Sequence, residues 1–230
     1  MLKLIIFFSI VIAYLSYSII PSRIRKIKFA QTRHVDDKTI FLTFDDGPDP
    51  SYTPSLLKIL KKYDIKATFF CVASFAAANE DIIDMMKRDG HLIALHSFKH
   101  DNAYLMTPRM TDEDFKLSIS AMKGIGIPIK YYRPPWGNIN RRTLENIEKY
   151  DLHIILWHVM AEDWEKDADP QKIEAKLLKR IHGGDIICLH DGRGATGAPL
   201  RTIAALDTCL PKLLKKGFKF ETVDKYHEKK

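Results

Sequence analysis

Acidic, histidine and arginine residues are concentrated in five short segments that follow one another along the chain. The segments are Thr43-Phe44-Asp45-Asp46-Gly47-Pro48, His96-Ser97-Phe98-Lys99-His100, Arg133-Pro134-Pro135-Trp136-Gly137, Asp163-Trp164 and Leu189-His190-Asp191. Together they supply oxygen and nitrogen ligands for a divalent metal, a spare carboxylate, a spare histidine and an arginine. These are the components of a metal-assisted hydrolase.

The metal ligands are expected among two histidines and two aspartates. His96 and His100 are four residues apart, so both imidazoles would face one cation if the segment after Leu95 turns helically. The adjacent carboxylates of Asp45 and Asp46 repel each other unless a cation neutralises them, although an Asp-Gly-Pro turn also explains them. Two histidines and one carboxylate form the ligand set of catalytic zinc sites, which keep one position open.

The remaining polar groups fit acid–base catalysis. Successive side chains at a strand end point to opposite sides, so one aspartate can ligate while the other acts as base, and the spacing leaves open which. His190 is the candidate acid because an imidazole titrates near neutral pH; a structural histidine is the alternative. Arg133 can hold the free carboxylate ionised, or form a surface salt bridge. Trp136, Trp164 and Leu189 offer apolar walls that fit a sugar or a hydrophobic core.

A regular alternation of strands and helices after Lys38 must position these segments, and it indicates a parallel sheet. The predicted strands are Thr39–Phe44, Ala67–Cys71, Leu92–Leu95, Tyr131–Tyr132, His153–Trp157, Asp185–Leu189 and Phe218–Phe220. The predicted helices are Tyr52–Lys62, Glu80–Lys87, Asp112–Lys123, Arg141–Lys149, Pro170–Arg180 and Leu200–Lys215. Thr111 is the expected cap of the third helix, and Pro211 is expected to kink or split the last. Each segment lies at or shortly after the carboxyl end of a strand, so all five are expected on one rim.

Length and composition fit one globular catalytic domain, because the chain has 230 residues of which 46% are hydrophobic. Cys71, Cys188 and Cys209 form no CxxC pair and are predicted to be buried thiols. The net charge of +7 is explained by a solvated surface and by basic residues beside the first segment and at the C-terminus. No basic–aromatic motif indicates nucleic-acid binding.

The first twenty residues form a separate hydrophobic segment. Leu4–Ile20 contains no charged residue and approaches the length of about 20 residues that spans a bilayer. Pro21 is expected to end it, so residues 1–20 are predicted to be an anchor, 21–37 a basic connector and 38–230 the catalytic domain. A cleaved signal peptide, with Ser16-x-Ser18 as a weak cleavage site, and a buried helix are the alternatives. Basic residues 23, 25, 26 and 28 follow the segment, so the positive-inside rule places the domain in the cytoplasm.

The five segments, in this order, resemble the motifs of the polysaccharide deacetylase family, also called the NodB-homology domain or carbohydrate esterase family four. The resemblance covers about Lys38 to Phe220. It implies an α/β fold, a distorted (β/α) barrel with seven parallel strands, here preceded by one N-terminal hydrophobic helix. It also implies one divalent metal, zinc in most members with cobalt, nickel and manganese as alternatives, held by Asp46, His96 and His100.

The resemblance also implies a role for each remaining site residue. Asp45 would be the base and His190 the acid, with Arg133 orienting Asp45 and Asp163 tuning His190. The backbone N–H of Trp136 would help to hold the oxyanion, and Trp164 and Leu189 would line the pocket for the acetyl methyl group. Trp136 stands where the family more often has tyrosine. This exchange keeps the backbone N–H donor but changes the shape of the sugar groove.

The expected function is removal of N-acetyl groups from an N-acetylglucosamine-type cell-wall glycan, such as peptidoglycan or a chitin-like polymer, with release of acetate. An O-acetyl esterase or a small-amide hydrolase on the same scaffold is the enzymatic alternative. A second alternative is a non-catalytic wall-binding module. If the chain were such a module, the base, the acid or a metal ligand would be expected to be missing. Because such glycans are assembled beyond the membrane, the catalytic domain is expected outside the cytoplasm, tethered or secreted, against the charge rule. The expected partners are the glycan and the membrane, with no nucleic acid.

Overall fold

A curved sheet of short parallel strands forms the centre of the protein in the computed structural model, which describes residues 1–32 and 38–226. The strands are β1 Thr39–Asp45, β2 Thr68–Cys71, β3 Leu92–Leu95, β4 Tyr131–Tyr132, β5 His153–Ile154, β6 Val159–Met160, β7 Ile186–His190 and β8 Lys219–Phe220. Their order in the sheet is β5-β4-β3-β2-β1-β7-β6, and β8 pairs with the start of β1. Every recorded strand pair is parallel.

The sheet curls into an incomplete barrel. Its two edges, β5 and β6, are consecutive in the sequence and only residues 155–158 separate them. Five residue steps reach at most about 18 Å, so the two edges must face each other across a narrow seam. This arrangement confirms the distorted (β/α) barrel and its seven predicted parallel strands. The two-residue strand β6 was not predicted: the predicted strand His153–Trp157 ends before it, and two residues show no period.

Eight helices longer than a single 3₁₀ turn accompany the strands within the described residues. They are α1 Leu2–Ala30, α2 Thr53–Lys62, α3 Ala73–Ala78, α4 Glu80–Arg88, α5 Pro108–Gly124, α6 Arg141–Lys149, α7 Pro170–Arg180 and α8 Ala198–Lys215. The six helices predicted after Lys38 are all present, and the short alanine-rich α3 was missed. The predicted cap at Thr111 is wrong: Thr107 caps α5 by accepting a hydrogen bond from the Met110 N–H, and Pro108 begins the helix. Pro211 lies inside α8 without splitting it.

The N-terminal hydrophobic helix is longer than the sequence predicts. Helix α1 is continuous over 29 residues and is the one helix in the described residues that is long and apolar enough to cross a membrane. Pro21 does not end it, because a π-helical stretch, Leu15–Ile19, precedes the proline and widens the turn in which its ring would otherwise clash. Residues 21–30 of the predicted connector are therefore helical, whereas 33–37 lie outside the described residues, as do the C-terminal basic residues 229 and 230.

Candidate active site

The five polar segments meet at the carboxyl ends of the strands, as predicted. Asp45 ends β1, His96 follows β3, Arg133 follows β4, and His190 ends β7 directly beside Asp45 in the strand register. They surround a cavity of about 430 Å³. Its lining consists of Asp45, Asp46, His96, His100, Trp136, Trp157, Met160, Trp164, Cys188, His190, Arg193 and Gly194.

Asp46, His96 and His100 converge on one point in this cavity. Oδ1 of Asp46 lies 2.9 Å from Nε2 of His100 and 3.4 Å from Nε2 of His96. All three ligand atoms lie within 4.8 Å of one another. The structure therefore assembles the three predicted ligands and separates them from Asp45, whose Oδ2 is 4.0 Å from His96 Nε2.

The two histidines reach this point from a loop and not from a helix, so the predicted helical turn after Leu95 is wrong. Ser97 and His100 have left-handed φ angles of 67° and 68°, which fold the loop back on itself. The Ser97 hydroxyl accepts a hydrogen bond from the His100 N–H (2.8 Å), and Asp114 on α5 accepts one from the Phe98 N–H (3.0 Å). Burial raises the pKa of Asp114 to about 6, although the hydrogen bond from Phe98 lowers it in part.

The chemistry of this trio fits a divalent cation. His96 Nδ1 donates to the carbonyl oxygen of Arg133 at 2.7 Å, because that oxygen can only accept, so Nε2 is the ring nitrogen left to bind a metal. Buried Asp46 Oδ1 receives no well-directed hydrogen bond from any described residue, despite the nearby imidazoles. Burial raises the pKa of Asp46, but His100 and His96 more than offset this and hold the pKa well below its usual range. An anionic oxygen and two imidazole nitrogens are the ligands that zinc prefers.

Arg133 holds the second aspartate and closes the seam of the barrel. Its guanidinium is fully buried and donates from Nη1 to Asp45 Oδ1 (2.7 Å) and to the Thr43 hydroxyl (2.7 Å). Nε and Nη2 donate to the carbonyl oxygens of Ile155 (3.2 Å) and Leu156 (3.0 Å), which lie between β5 and β6. The Arg133 side chain thus provides hydrogen bonds to two backbone carbonyl oxygens at the seam and also fixes one oxygen of Asp45. The Oδ2 of Asp45 remains directed toward the cavity side, near His96.

His190 is paired with a fully buried carboxylate. Its Nδ1 lies 2.9 Å from Asp163 Oδ1, while Asp163 Oδ2 accepts hydrogen bonds from the His190 N–H and from the Thr202 hydroxyl, each at 2.9 Å. Burial alone would lower the pKa of His190, but Asp163, with smaller contributions from Asp45 and Asp46, raises it to about 9. The imidazole is therefore protonated near neutral pH in this environment, and Nε2 is the atom that can exchange a proton.

Two of the three predicted apolar walls line the cavity. Trp164 stands edge-on to His190 (5.1 Å between ring centroids), and Trp136 stacks obliquely against His100 (4.4 Å) with 53% of its surface exposed. The structure does not bring Leu189 into the cavity. Side chains alternate along β7, so Cys188 and His190 face the cavity whereas Leu189 is buried in the hydrophobic core.

A second group of ligand-type atoms, from Asp45, Cys188 and His190, does not fit a metal. Complete burial raises the pKa of the Cys188 thiol well above its usual value, so the sulfur keeps its proton. Its Sγ lies 3.3 Å from Asp45 Oδ2 and donates to it. Cys71, Cys188 and Cys209 are all buried free thiols, as predicted.

Asp191 is a site residue that sequence reasoning left without a role. It is buried directly behind the metal-ligand loop and accepts hydrogen bonds from the Gly47 N–H (3.1 Å) and the Thr53 hydroxyl (2.6 Å). Burial raises the pKa of Asp191 to about 7, against the opposing hydrogen bond from Thr53. Asp191 therefore ties the loop after β1 to the loop after β7. Its position beside His190 in the fifth segment was the one available signal.

The chain is similar in sequence and in structure to known proteins. The family model described as polysaccharide deacetylase matches residues 32–155. The peptidoglycan-N-acetylglucosamine deacetylase PgdA of Listeria monocytogenes is 34% identical over 198 residues, which cover 84% of this chain but only 40% of the Listeria protein. A peptidoglycan-N-acetylglucosamine deacetylase of Bacillus cereus is 34% identical, covering 82% of this chain and 87% of that protein. The crystal structure of the Bc1960 peptidoglycan N-acetylglucosamine deacetylase superposes with a TM-score of 0.78 at 28% identity, over 84% of this chain and 90% of that chain.

Proposed function

Because the chain belongs to the polysaccharide deacetylase family, we propose that it is a metal-dependent hydrolase that removes N-acetyl groups from an N-acetylglucosamine-type cell-wall glycan. The observation that carries the proposal is the meeting of a metal-ligand trio, an oriented carboxylate and a histidine paired with a buried carboxylate in one cavity. The two relatives named above as peptidoglycan deacetylases support the glycan class.

In this proposal Asp46, His96 and His100 hold the metal, zinc being the preferred ion for their donor set. A divalent cation at that point supplies Lewis-acid polarisation of the acetamide carbonyl and makes water more acidic. Asp45 is the base: Arg133 occupies its Oδ1, so Oδ2 accepts the proton from the attacking water. The buried guanidinium also fixes the orientation of that carboxylate.

His190 protonates the departing amine nitrogen through Nε2 as the C–N bond breaks and acetate forms. Asp163 stabilises the imidazolium and fixes the ring through Nδ1. The backbone N–H of Trp136, a residue that lines the cavity, is the donor that we assign to the oxyanion. Trp164 packs beside His190 and forms the apolar wall for the acetyl methyl group.

The proposal is tested by acetate release from peptidoglycan, chitin oligomers and acetylated xylan, comparing the native protein with Asp45→Asn. The amide cannot accept a proton, so turnover on the amide substrates should fall by about 10²–10⁴-fold while the metal is retained. Near-native turnover of the variant would place the base elsewhere. Acetate from xylan alone would favour the O-acetyl esterase, and no acetate from any substrate would favour the non-catalytic binding module.

The metal assignment is tested separately by metal analysis. His96→Ala should bind zinc far below one equivalent, because it leaves two ligands of the trio. His153→Ala is the matched control: this exposed imidazole lies at the start of β5 and outside the cavity. Stoichiometric zinc in His96→Ala would remove this ligand assignment, whatever the activity.

For the whole chain we propose a single-pass protein of the cell membrane with an extracytoplasmic catalytic domain. Helix α1 is the anchor, and the glycan class argued above lies outside the membrane. Secretion after signal cleavage is the alternative. The N-terminal sequence of the purified mature protein distinguishes the two, because an uncleaved anchor retains Leu2–Tyr14.

A further inference from the structure

Helix α1 packs along the seam of the barrel instead of hanging from it by a loose connector. Phe29 is buried and stacks on His158 (5.1 Å between ring centroids), which follows β5. Arg25 donates to the carbonyl oxygen of Ile154 at 2.9 Å. The Lys26 ammonium donates to the carbonyl oxygen of Trp136 (3.2 Å). The second half of α1 is therefore part of the catalytic domain.

These contacts fix the direction in which the helix crosses the barrel. Phe29 lies near Tyr226, which packs on Phe41 close to the amino end of β1. Three and seven residues earlier, Lys26 donates to Asn138 (2.8 Å) and Ser22 accepts a hydrogen bond from the Ile139 N–H (3.3 Å); both partners lie in the loop that follows β4. Followed toward its N-terminus, α1 therefore runs from the amino ends of the strands to the carboxyl ends. It leaves the domain on the side of the catalytic cavity.

The short distance between the projecting part and the domain brings that side to the membrane. Leu2–Tyr14 buries no residue against the domain. Only four residues further on, Ser18 is already buried against the domain, and Ser22 is buried one turn later. Four residues of helix are about 6 Å long, so the continuous helix leaves no spacer between its apolar part and the domain. A bilayer that takes up Leu2–Tyr14 must therefore lie against the domain.

The surface beside the departing helix suits such contact. The π-helical stretch contacts a 3₁₀ turn, Ala103–Leu105, and helix α6, both at the cavity side. Leu105 in that turn is 78% exposed and Met110 at the start of α5 is 49% exposed. The exposed arginines Arg109 and Arg141 stand at the starts of α5 and α6. Apolar side chains interleaved with arginines match the interface of an anionic bilayer.

We propose that the catalytic rim faces and contacts an anionic phospholipid bilayer, and that the site acts on the N-acetylated glycan head of a membrane lipid. The substrate part rests on the proposed deacetylase function; the contact itself does not. The rim faces the bilayer on whichever side of the membrane the domain resides. A sugar attached to a lipid reaches the cavity from the membrane surface, whereas a distant polymer would have to enter between domain and bilayer.

The contact is tested with the full chain in vesicles of phosphatidylglycerol and phosphatidylethanolamine. An environment-sensitive fluorophore is attached at Leu105→Cys on the rim or at Leu214→Cys, a half-exposed leucine near the end of α8 on the opposite side. The three native cysteines are buried, so labelling is confined to the new thiol. A lipid-borne quencher should quench the label at position 105 several-fold more than at 214. Equal quenching at both, or stronger quenching at 214, would overturn the orientation.

The substrate is tested with one N-acetylated oligosaccharide presented in two forms, lipid-linked in the same vesicles and free in solution. Acetate release at equal bulk concentration should be at least tenfold faster from the lipid-linked form. Equal or faster release from the free form would overturn the lipid-linked substrate while the deacetylase function stands. If neither form of the oligosaccharide and none of the polymer substrates above releases acetate, the deacetylase function is overturned. The fluorescence comparison would still decide whether the rim contacts the bilayer.

Discussion

Asp45 and Asp46 are neighbours in the sequence but have different surroundings, and the backbone decides which is which. Asp45 is the last residue of β1 and points into the barrel, where Arg133 binds it. Asp46 has a left-handed φ of 78°, which turns its carboxylate toward the two histidines. Alternation along a strand indicates that the two carboxylates diverge, but only the loop conformation assigns one to the metal.

A change at Asp163 should alter the pH profile of the enzyme. Asp163→Asn removes the negative charge that raises the pKa of His190. An acid must be protonated to act, so activity falls as the pH rises through this pKa. The alkaline limb of kcat/KM should therefore move to lower pH, by about 1–3 units for the loss of an adjacent opposite charge. The measurement is the pH dependence of acetate release by the metal-loaded enzyme.

Asp167→Asn is the matched control, because it removes an exposed carboxylate only four residues away. Its alkaline limb should stay in place. An unmoved limb in Asp163→Asn would show that His190 is not the group that titrates there.

Residue type and spacing predicted the groups that carry charge in this site, but not the groups that hold them. The histidine pair, the adjacent aspartates and the histidine at a strand end each have a structural explanation, but they are recognisable as a set because they occur in one ordered series of segments. Thr43, Thr202 and Asp114 support the charged groups from distant parts of the chain. A lone threonine or aspartate has no distinctive pattern, so these contacts depend on the fold being known.

At the scale of elements, loop conformation positions the site more than regular secondary structure does. Within the described residues, eight non-glycine residues have positive φ, and six of these lie in or beside the catalytic segments. They are Asp46, Ser97, His100, Trp136, Glu162 and Arg193. Such conformations cost free energy and persist where surrounding contacts enforce them. This explains why the helical turn predicted for His96 to His100 was wrong, since four-residue spacing carries no information about left-handed loop residues.

Gly47 should be a strict requirement of the loop after β1. A Cβ atom there would lie 2.2 Å from Oδ2 of Asp191, too close for any real contact. Gly47→Ala should therefore lower the free energy of unfolding by about 1–3 kcal/mol, as overpacking of a filled site does. Denaturant unfolding of the full chain in detergent measures this.

Gly124→Ala is the control, because a Cβ atom at this last residue of α5 meets nothing within 4 Å. That variant should be neutral or more stable by up to about 1 kcal/mol. Equal stabilities of the two variants would show that Asp191 moves aside, and that the hydrogen bond to Gly47 does not fix the loop.

Long strands and amphipathic helices were predictable from sequence, as were the short strands β4 and β8, but β6, α3 and the effects of two prolines were not. Periodicity over four or more residues identified β1, β2, β3 and β7 within one or two residues of their ends. The two residues of β6 cannot show a period, and their pairing with β7 depends on the curl of the sheet. Pro21 and Pro211 were given their usual helix-breaking role, which the π-helical stretch and the continuous α8 override.

At the scale of the whole molecule, the N-terminal helix α1 has two parts: a hydrophobic first half and a second half that packs against the barrel along its seam. Its basic residues predicted a solvated connector, because charge normally marks exposure. Arg25 and Lys26 instead place their charged ends on backbone carbonyl oxygens of the seam and of the loop after β4. These partners are more than a hundred residues away, so no local pattern could reveal them.

Two arguments give opposite answers about the side of the membrane on which the catalytic domain lies. Four basic residues follow the hydrophobic segment and one lysine precedes it, so the positive-inside rule retains the domain in the cytoplasm. A cell-wall glycan requires the catalytic domain to lie outside the cytoplasm. We expect the domain to lie there, because its proposed substrate does. Protease added to intact cells should then digest the catalytic domain while a cytoplasmic marker protein survives. If the domain resists until the cells are lysed, the charge rule is right, and the substrate must be a lipid-linked or nucleotide-linked sugar on the cytoplasmic side.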